Sequence, residues 1–386
     1  MGDASDESTV AVFLVSADGK DWRDVSAPVR SIAVEDHDRL TDKAVVVLDD
    51  ATGLLADAAF EGLQVRLTLG WRSQYATLFE GEIMSARVVA GARGQWVELT
   101  VLDFSFRMSR RALDPAEWRP GERLSEVLER IVGRPEYGIA TGRIQPTDDA
   151  PMDTVRPTRR AGLNEWEFVL GQAEHQACLA FVEFDGKERS KFYFLPLTTL
   201  AEAQPVGELR YNRGTGDLIQ FDYERISAAA RPLLELSTVD PASGAVVNRS
   251  APPDPPRPAL PAPAIGRARD ATTAQRKAVE ALADVAAAAT GRLRRPVERL
   301  SGGAAAAPSD SALRVAPDPT RRFGLHGRGV ATGTVLLRAK SLVTISGVAP
   351  WAEGNWYVTK VNHVFSRDCA PGDPRPGYYT QFTATR

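Results

Sequence analysis

Cysteine and long apolar runs are both scarce in this sequence. Its 386 residues include two cysteines, Cys178 and Cys369, which stand far apart and outside any CxxC pattern. This excludes a disulfide framework and a cysteine zinc site. No apolar run approaches the roughly 20 residues that a helix needs to span a bilayer. Segment 1–8 is acidic and polar, unlike a secretory signal. We therefore expect a protein without a membrane span that stays in the cytoplasm unless a larger particle carries it out.

Histidine is also rare, and its placement argues against a metal site. The four histidines are dispersed, and no HExxH motif occurs. His175 and Cys178 lie one helical turn apart, but no further ligand pair accompanies them. Because a zinc site needs three or four protein ligands, we interpret this spacing as part of a packed helix surface.

Catalytic motifs are missing as well. The sequence holds no GxSxG motif and no P-loop. Segment 327–333 is similar to a dinucleotide loop, but its third glycine stands one position late and no helical pattern follows. We interpret it as a turn between strands. The 50 acidic residues leave room for a catalytic carboxylate pair, although nothing places a pair at catalytic separation. The sequence predicts a protein that is not an enzyme and uses neither cofactor nor metal.

The composition is that of a globular protein, with 43% hydrophobic and 25% charged residues. The net charge of −3 is unevenly spread: residues 1–224 carry a net −13 and residues 225–386 a net +10. This asymmetry indicates complementarity with another surface, and we expect the two halves to meet between neighbouring subunits. The basic half lacks a recognisable nucleic-acid motif, so specific nucleic-acid binding is not predicted.

The two ends of the chain are predicted to be β-structure. Near the N-terminus, residues 10–15, 44–48, 63–69 and 97–101 are short apolar or alternating runs separated by polar turns. Alternation with a period of two is typical of strands that are buried on one face. Several short strands at regular spacing favour a small barrel. The last sixty residues show the same pattern.

The middle of the chain is predicted to be a small α/β domain. Leu124, Val127, Leu128 and Ile131 stand at helical spacing, and Gly133 follows at the position of a helix end. Asn164 is placed to cap a second helix. The apolar face of that helix is formed by Trp166, Val169, Leu170, Ala173 and Ala177. Residues 178–184 and 191–195 then form a hairpin around Asp185-Gly186.

These patterns divide the chain into four parts. We predict a first β-barrel domain over residues 1–109 and an α/β domain over 110–225. A second β-barrel is predicted from 226–247 together with 321–386. Residues 248–320 are rich in Pro, Ala and Gly and are predicted to be a flexible insertion that contains one Ala-rich helix over 270–289. The predicted fold class is mainly β, with an α+β middle domain and two similar small barrels.

The two predicted barrels resemble each other in the order of their strands and in the positions of the glycines at the strand ends. In each, a strand ends in glycine (Gly70 or Gly347), a second strand opens at glycine (Gly81 or Gly354), and a third alternates apolar residues with threonine. Glycine permits the tight turns and bulges that barrel corners need. We interpret the pattern as an internal duplication, although unrelated antiparallel barrels share similar punctuation.

An aromatic cluster lies near the end of the chain. Trp351, Trp356 and Tyr357 flank a predicted turn and strand. Burial within a barrel is the ordinary role of such residues. A role in a subunit interface is the sharper hypothesis, because Trp and Tyr are favoured anchors there.

Seven passages follow one another in a distinctive order: the Asp49-Asp50 turn, 60–70, 78–83, 99–103, 164–170, 354–363 and 377–380. This order resembles the late-control-D family of phage tail proteins, and with it the baseplate hubs of contractile tails and the hub half of the type VI spike protein. The resemblance covers most of the chain except residues 248–320, which depart from the compact family pattern.

The resemblance implies a structural subunit of a homotrimeric ring. Two barrels per subunit would place six around the axis and join a sixfold tail tube to a threefold spike, with no cofactor. The implied partners are a separate spike protein, tube or initiator proteins and other baseplate proteins. The protein would be assembled in the bacterial cytoplasm and then reside in the baseplate. Two alternatives stay open, a tail-associated cell-wall hydrolase and a glycan-binding β-protein.

Overall fold

The computed structural model describes residues 8–92, 94–113, 119–151, 163–212, 216–225, 233–239, 246–250, 272–289, 297–301, 325–368 and 377–386. The strands are β1 (Thr9–Ser16), β2 (Arg23–Asp24), β3 (Val29–His37), β4 (Lys43–Asp49), β5 (Gln64–Trp71), β6 (Gln74–Gly91), β7 (Gly94–Leu102), β8 (Ala140–Ile144), β9 (Cys178–Phe184), β10 (Ser190–Pro196), β11 (Glu208–Arg210), β12 (Leu218–Arg225), β13 (Leu233–Val239), β14 (Val246–Ser250), β15 (Val297–Ser301), β16 (Leu325–Thr332), β17 (Leu342–Ser346), β18 (Gly354–Ser366) and β19 (Gly377–Thr385). The helices are α1 (Ser105–Ser109), α2 (Leu124–Val132), α3 (Glu165–His175), α4 (Leu197–Ala201) and α5 (Thr273–Ala289). None of these helices combines the length and apolarity required to cross a membrane.

Most strands belong to one large sheet. Its main path runs β12-β16-β19-β18-β3-β4-β7-β6-β5-β1-β2, and β17 joins β18 to β11 beside that path. The N-terminal strands therefore continue into the C-terminal strands through the antiparallel pairing of β18 with β3. The mainly β fold class predicted from the sequence is confirmed. The two predicted barrels are not found as closed barrels in the described part of the chain.

The middle of the chain contains helices and a separate three-stranded sheet, which we call the middle unit. β8 pairs parallel to β10, and β10 pairs antiparallel to β9. The hairpin turns at Gly186, whose φ of +78° suits glycine. α2 ends at Val132, and Gly133 is its C-cap, as predicted. The cap of α3 is also confirmed: Asn164 Oδ1 accepts from the Glu167 amide at 2.8 Å, and the Asn164 amide donates back to Glu167 Oε2 at 3.0 Å.

The predicted apolar face of α3 extends too far, because it includes Ala177, which lies beyond the end of the helix. α3 ends at His175, and Ala177 adopts a left-handed φ of +48° just before β9 begins. The helix stops because the chain must reverse here to enter the sheet. Trp166, Val169 and Ala173 are buried on the predicted face.

Strand pairing differs from the predicted division of the chain at two points. β11 and β12 fall in the predicted middle domain but pair with β17 and β16 of the C-terminal region. β13 was expected in the second barrel but pairs with β14 and β15 in a separate three-stranded sheet. The predicted helix in the insertion is present as α5. The rest of the insertion call, residues 251–271, 290–296 and 302–320, lies outside the described residues.

Four hydrophobic clusters lie among the described elements. One lies among the N-terminal strands around Phe13, Ile32 and Leu67, and one lies under α2 and α3. The third lies among the C-terminal strands around Trp356. The fourth packs β9, β10 and α4 against β17 and β18. Phe365 of β18 packs into the first of these cores, so the two ends of the chain share apolar packing as well as a sheet.

Candidate functional site

The two halves of the large sheet have the same strand order. In the first half, neighbouring strands follow the order β3-β4-β7-β6-β5-β1; in the second, they follow β12-β16-β19-β18-β17-β11. Reading along the chain, the six strands of each half occupy the same places in the sheet. We call residues 9–102 the first repeat, and 208–225 with 325–385 the second. They differ in one pairing, since β1 runs antiparallel to β5 whereas β11 runs parallel to β17.

The registers of the repeats also agree. β6 and β7 show a bulge between Ile83 and Ser85, and β18 and β19 show one between Val358 and Lys360. When these two bulges are superimposed, β7 is equivalent to β19 and Gly94 is equivalent to Gly377. The φ values of these two glycines are +106° and +111°. A bulge leaves an unpaired residue and is a specific feature of a ladder.

A second pair of bulges supports the same alignment. β3 bulges between Val29 and Ser31 against β4, and β12 bulges between Leu218 and Gln220 against β16. The equivalence of β7 and β19 extends through their ladders with β4 and β16 to β3 and β12. In that alignment the two bulges fall at equivalent residues. Two independent coincidences of register make duplication a better account than shared punctuation.

The structure corrects the glycine alignment read from the sequence. Gly81 does not open a strand; it lies inside β6, and a Cβ on it would stand 2.2 Å from the Leu102 carbonyl oxygen. In the ladder alignment, the counterpart of Gly81 is Trp356, two residues beyond Gly354. Segment 327–333 is also not a turn, because residues 327–332 lie within β16 and only Gly333 follows the strand.

The repeats meet along β3 and β18. Residues 360–366 of β18 pair in antiparallel register with residues 37–31 of β3. Beside this ladder, Lys360 Nζ lies 2.8 Å from Glu35 Oε2 on the surface. His363, opposite Val34, is fully buried and its Nδ1 lies 2.8 Å from Tyr378 Oη. Burial lowers the pKa of His363 to about 3, so the ring is neutral at physiological pH.

A buried charge cluster closes one end of this junction. Lys340 Nζ lies 2.5 Å from Asp36 Oδ1, and each of these side chains is 2% exposed. Arg338 Nε lies 3.0 Å from Asp36 Oδ2, and Arg338 Nη2 reaches Glu183 of β9 at 2.9 Å. The cluster therefore ties the first repeat, the second repeat and the middle unit together.

Two further carboxylates face the same lysine. Asp42 Oδ2 lies 3.8 Å from Lys340 Nζ, and the Asp42 amide donates to Asp103 Oδ2 at 2.6 Å. Burial raises the pKa of Asp42 well above its usual range and that of Asp103 to about 6. Burial also opposes ionisation of Asp36, but Lys340 and Arg338 outweigh it and hold the pKa of Asp36 below its ordinary value.

Lys340 occupies a backbone position that its counterpart fills with glycine. Lys340 has a φ of +64°, and Gly62 in the first repeat has +84°. The Gly62 amide donates to the Ile83 carbonyl at 2.9 Å, and the Lys340 amide donates to the matching Val358 carbonyl at 2.9 Å. A left-handed conformation costs an ordinary residue roughly 1–2 kcal/mol. The second repeat tolerates this strain because the position delivers the ammonium group to Asp36.

Sequence reasoning did not identify this cluster. One clue was present: Ile32, Val34 and Asp36 alternate on the inward face of β3, so a carboxylate occupies an apolar register. An inward-facing carboxylate requires a buried partner. The partner itself could not be inferred, because Lys340 lies 304 residues away in the chain.

The aromatic residues predicted for an interface fall in different environments. Trp356 is fully buried and its Nε1 donates to the Ala352 carbonyl at 2.8 Å, and Tyr357 is also buried. Trp351 is partly exposed and packs edge-on against Tyr223 of β12, with ring centroids 5.1 Å apart. The interface role stays a prediction, and only Trp351 keeps surface that a neighbouring chain could cover directly.

A cleft lies between the first repeat and the middle unit. It has a volume of about 1140 Å³ and its walls carry paired charges. Arg107 Nη2 lies 2.7 Å from Glu82 Oε2, and Arg66 Nη2 lies 2.9 Å from Glu80 Oε1. Glu80 also accepts from the Ser190 amide at 2.8 Å. These groups hold the two units together.

The described residues contain no cluster of three or more His, Cys, Asp or Glu side chains arranged to hold a metal ion. His175 is exposed at the end of α3, whereas Cys178 is buried in β9, and burial raises the pKa of its thiol. The two residues therefore do not form a ligand pair.

Comparison with known proteins identifies the fold. No family model matches the chain, and no curated protein matches it in sequence. A tail protein of Neisseria meningitidis MC58 is similar in structure, with a TM-score of 0.59 at 11% identity, covering 98% of this chain and 96% of that one. A 43 kDa tail protein of prophage MuSo2 from Shewanella oneidensis has a TM-score of 0.60 at 9% identity, covering 97% and 98%. The chain has the fold of phage tail proteins.

The same fold extends to a secretion protein. An Escherichia coli protein has a TM-score of 0.50 at 9% identity, covering 92% of this chain and 73% of that one. That protein is described as a component of the type VI secretion system with structural similarity to the bacteriophage T4 tail proteins gp27 and gp5. The specific late-control-D resemblance has no match among family models.

Proposed function

We propose that this chain is a structural hub subunit of a contractile tail or related injection system. Three copies form a ring that joins a sixfold tail tube to a threefold spike. The observation that carries this proposal is the duplicated sheet: two repeats with one strand order and matching bulges lie side by side in each chain. Three such chains present six similar units around an axis, which reconciles threefold with sixfold symmetry.

The fold neighbours support the same role. Tail proteins of two prophage or bacterial sources match nearly the whole chain from end to end. The role is mechanical, so it requires stiffness and no catalytic group. The buried cluster around Lys340 supplies stiffness where the two repeats and the middle unit meet. Within the ring, each repeat would contribute strands to a barrel wall that a single chain leaves open.

The proposed partners follow from this position. One face of the ring would meet tube or initiator proteins, and the opposite face a separate spike protein. Trp351, which covers Tyr223 of β12, is the aromatic residue we place nearest a subunit contact. Trp356 and Tyr357 would act indirectly, by holding β18 in the core. Assembly would take place in the bacterial cytoplasm and the ring would then reside in the baseplate.

Native mass spectrometry of the purified protein, or of rings released from particles, tests the proposal. We expect three copies, and class averages in electron microscopy with six lobes around a central hole. A stable dimer or a ring of six copies would overturn it. Co-expression with the tube and spike genes of the same cluster should yield a complex that contains all three proteins.

A further inference from the structure

Among the described residues, two strand edges that correspond to the closed β3–β18 junction have no partner strand. Within the chain, residues 360–366 of β18 pair with β3 of the other repeat. The counterpart of that edge in the first repeat is residues 85–91 of β6, which pair with β7 alone among the described residues. The counterpart of β3 is β12, whose residues 220–225 pair with β16 alone in the same part of the chain.

Side chains on the two open edges are more exposed than their counterparts in the closed junction, as expected for strands that lack a partner. His363 of the closed junction is fully buried, whereas Val88, its counterpart on β6, is 46% exposed. On β12, Ile219 is 43% exposed and Glu224 is exposed. An open strand edge flanked by exposed apolar side chains is a template for another strand.

We infer that β6 of one copy pairs with β12 of the next copy, in the antiparallel register that β18 and β3 use within the chain. A single chain cannot make this contact, because its own β12 and β6 lie on far sides of the β3–β18 junction in the sheet. The contact is head-to-tail, so repetition closes a ring or extends a filament. This contact specifies how the subunits of the proposed hub would join. That the ring closes at three copies rests on the proposed function.

The alignment of the repeats fixes the register. Asn362 stands opposite Glu35 within the chain, and their counterparts are Arg87 and Glu224. Arg87 of one copy is therefore placed directly opposite Glu224 of the next. One residue further, Val88 meets Tyr223, as His363 meets Val34.

The charges at this register favour the pairing. Arg87 is two-thirds exposed and contacts Glu98 on its own sheet at 2.8 Å. Opposite charges directly across a ladder stabilise it, and like charges destabilise it. The new ladder would also cover Val88 with the Tyr223 ring, which Trp351 supports from behind. Charge and apolar burial thus select a second copy of this chain as the occupant.

Cysteine cross-linking in trans tests the register. Chains carrying Arg87→Cys and chains carrying Glu224→Cys are mixed and oxidised, in a Cys369→Ser background; Cys178 is buried. Residues directly opposite in a ladder have Cβ atoms about 4.5–5.5 Å apart, close enough for a disulfide after small adjustment. We expect a covalent dimer from the mixture and none from either chain alone.

An off-register pair provides the matched control. Asp222 is exposed on the same strand, two residues or about 7 Å from Glu224. Arg87→Cys mixed with Asp222→Cys should give little cross-link. Equal yields from both pairs, or no Arg87–Glu224 cross-link even at the highest attainable concentration, would overturn the inference.

Charge exchange gives a second readout that does not depend on thiol chemistry. Arg87→Glu and Glu224→Arg should each weaken self-association by about tenfold, and the double variant should restore it. Glu98→Gln separates the loss of the internal Arg87 contact from the loss between copies, and should have little effect. Absence of rescue in the double variant would count against the register.

The mass of the assembly separates this inference from the hub proposal. A trimer that forms no Arg87–Glu224 cross-link would leave the hub intact and refute the edge pairing. A specific cross-link within dimers or open filaments would support the edge pairing and refute the trimeric hub.

Discussion

The two repeats share the same backbone arrangement but differ in the side chains at equivalent positions. Both have the same strand order and bulges at matching places. At one position the first repeat has Gly62 and the second has Lys340; at another, the first has Gly81 and the second has Trp356. The register of the strands is therefore the same in the two repeats, whereas the side chains at equivalent positions differ. The reason is that a one-residue slip turns a whole strand inside out, whereas a single side chain can change with its neighbours.

The same comparison explains why one junction is closed within the chain and the other is open. In the β3–β18 junction, Lys340 lies buried against Asp36, and Phe365 packs into the first core. The corresponding edges of β6 and β12 carry exposed residues. Changes at equivalent positions should therefore have very different effects in the two repeats.

The largest expected effect concerns the buried lysine. Replacing Lys340→Met leaves Asp36 buried with Arg338 as its remaining cationic partner, and should lower the free energy of unfolding by about 3–5 kcal/mol. Urea denaturation measures this change. Lys360→Met is the control at the same junction; its exposed pair with Glu35 should contribute no more than about 1 kcal/mol. Equal losses would show that burial of the cluster does not matter.

Gly81 tests the position where the repeats differ most in volume. Gly81→Ala places a Cβ 2.2 Å from the Leu102 carbonyl oxygen, so β6 and β7 must separate locally. We expect a loss of about 1–3 kcal/mol. Gly91→Ala, in the same strand but with open space around it, should stay within about 0.5 kcal/mol of the wild type. Similar values for both variants would contradict the close approach.

The buried carboxylates predict a pH dependence. The folded-state pKa of Asp103, about 6, lies above its unfolded value near 4, and the pKa of Asp42 is raised as well. Protonation is thus favoured by the folded state. The resulting stabilisation is complete below the unfolded pKa and is lost as the pH rises through about 6. Asp36, with a lowered pKa, acts in the opposite sense and loses its contribution as the pH falls below about 4.

Thermal unfolding across pH 4.5–7.5 should therefore show declining stability towards neutral pH. Asp42→Asn keeps an oxygen to accept from the His37 amide but removes one buried charge. This variant should make the decline measurably shallower. Asp57→Asn, on an exposed loop, is the control for charge removal and should keep the wild-type shape. A wild-type profile that rises towards neutral pH would refute the assignment.

The smallest effect is expected in the region that has no counterpart in the first repeat. Residues 248–320 have the Pro, Ala and Gly composition of a segment that builds little core. Replacing them with a short Gly/Ser linker should leave the Tm nearly unchanged, although it removes α5, β15 and the last three residues of β14. The sheet of β13, β14 and β15 shares no ladder with the large sheet among the described residues. A fall of many degrees would show that this region packs onto a repeat.

Local patterns in the sequence were sufficient for most elements. The alternating runs at 63–69 and 97–101 became β5 and β7, and Asn164 caps α3 as predicted. Alternation and capping depend on neighbours within a few residues, which is why they can be read directly. The strand at 327–332 was missed because glycines that elsewhere form turns here make room for aromatic rings: a Cβ on Gly329 would stand 2.2 Å from Phe382.

Most of the elements, and the presence of two similar β regions, could be read from the sequence. How those regions join is visible in the fold alone: they form one sheet through β3 and β18, with Asp36 and Lys340 in contact across 304 residues. Hydrogen-bonded ladders between distant strands leave no periodic trace in either strand. A buried ion pair is likewise defined by proximity in space, so neither of its members reveals the other in the sequence.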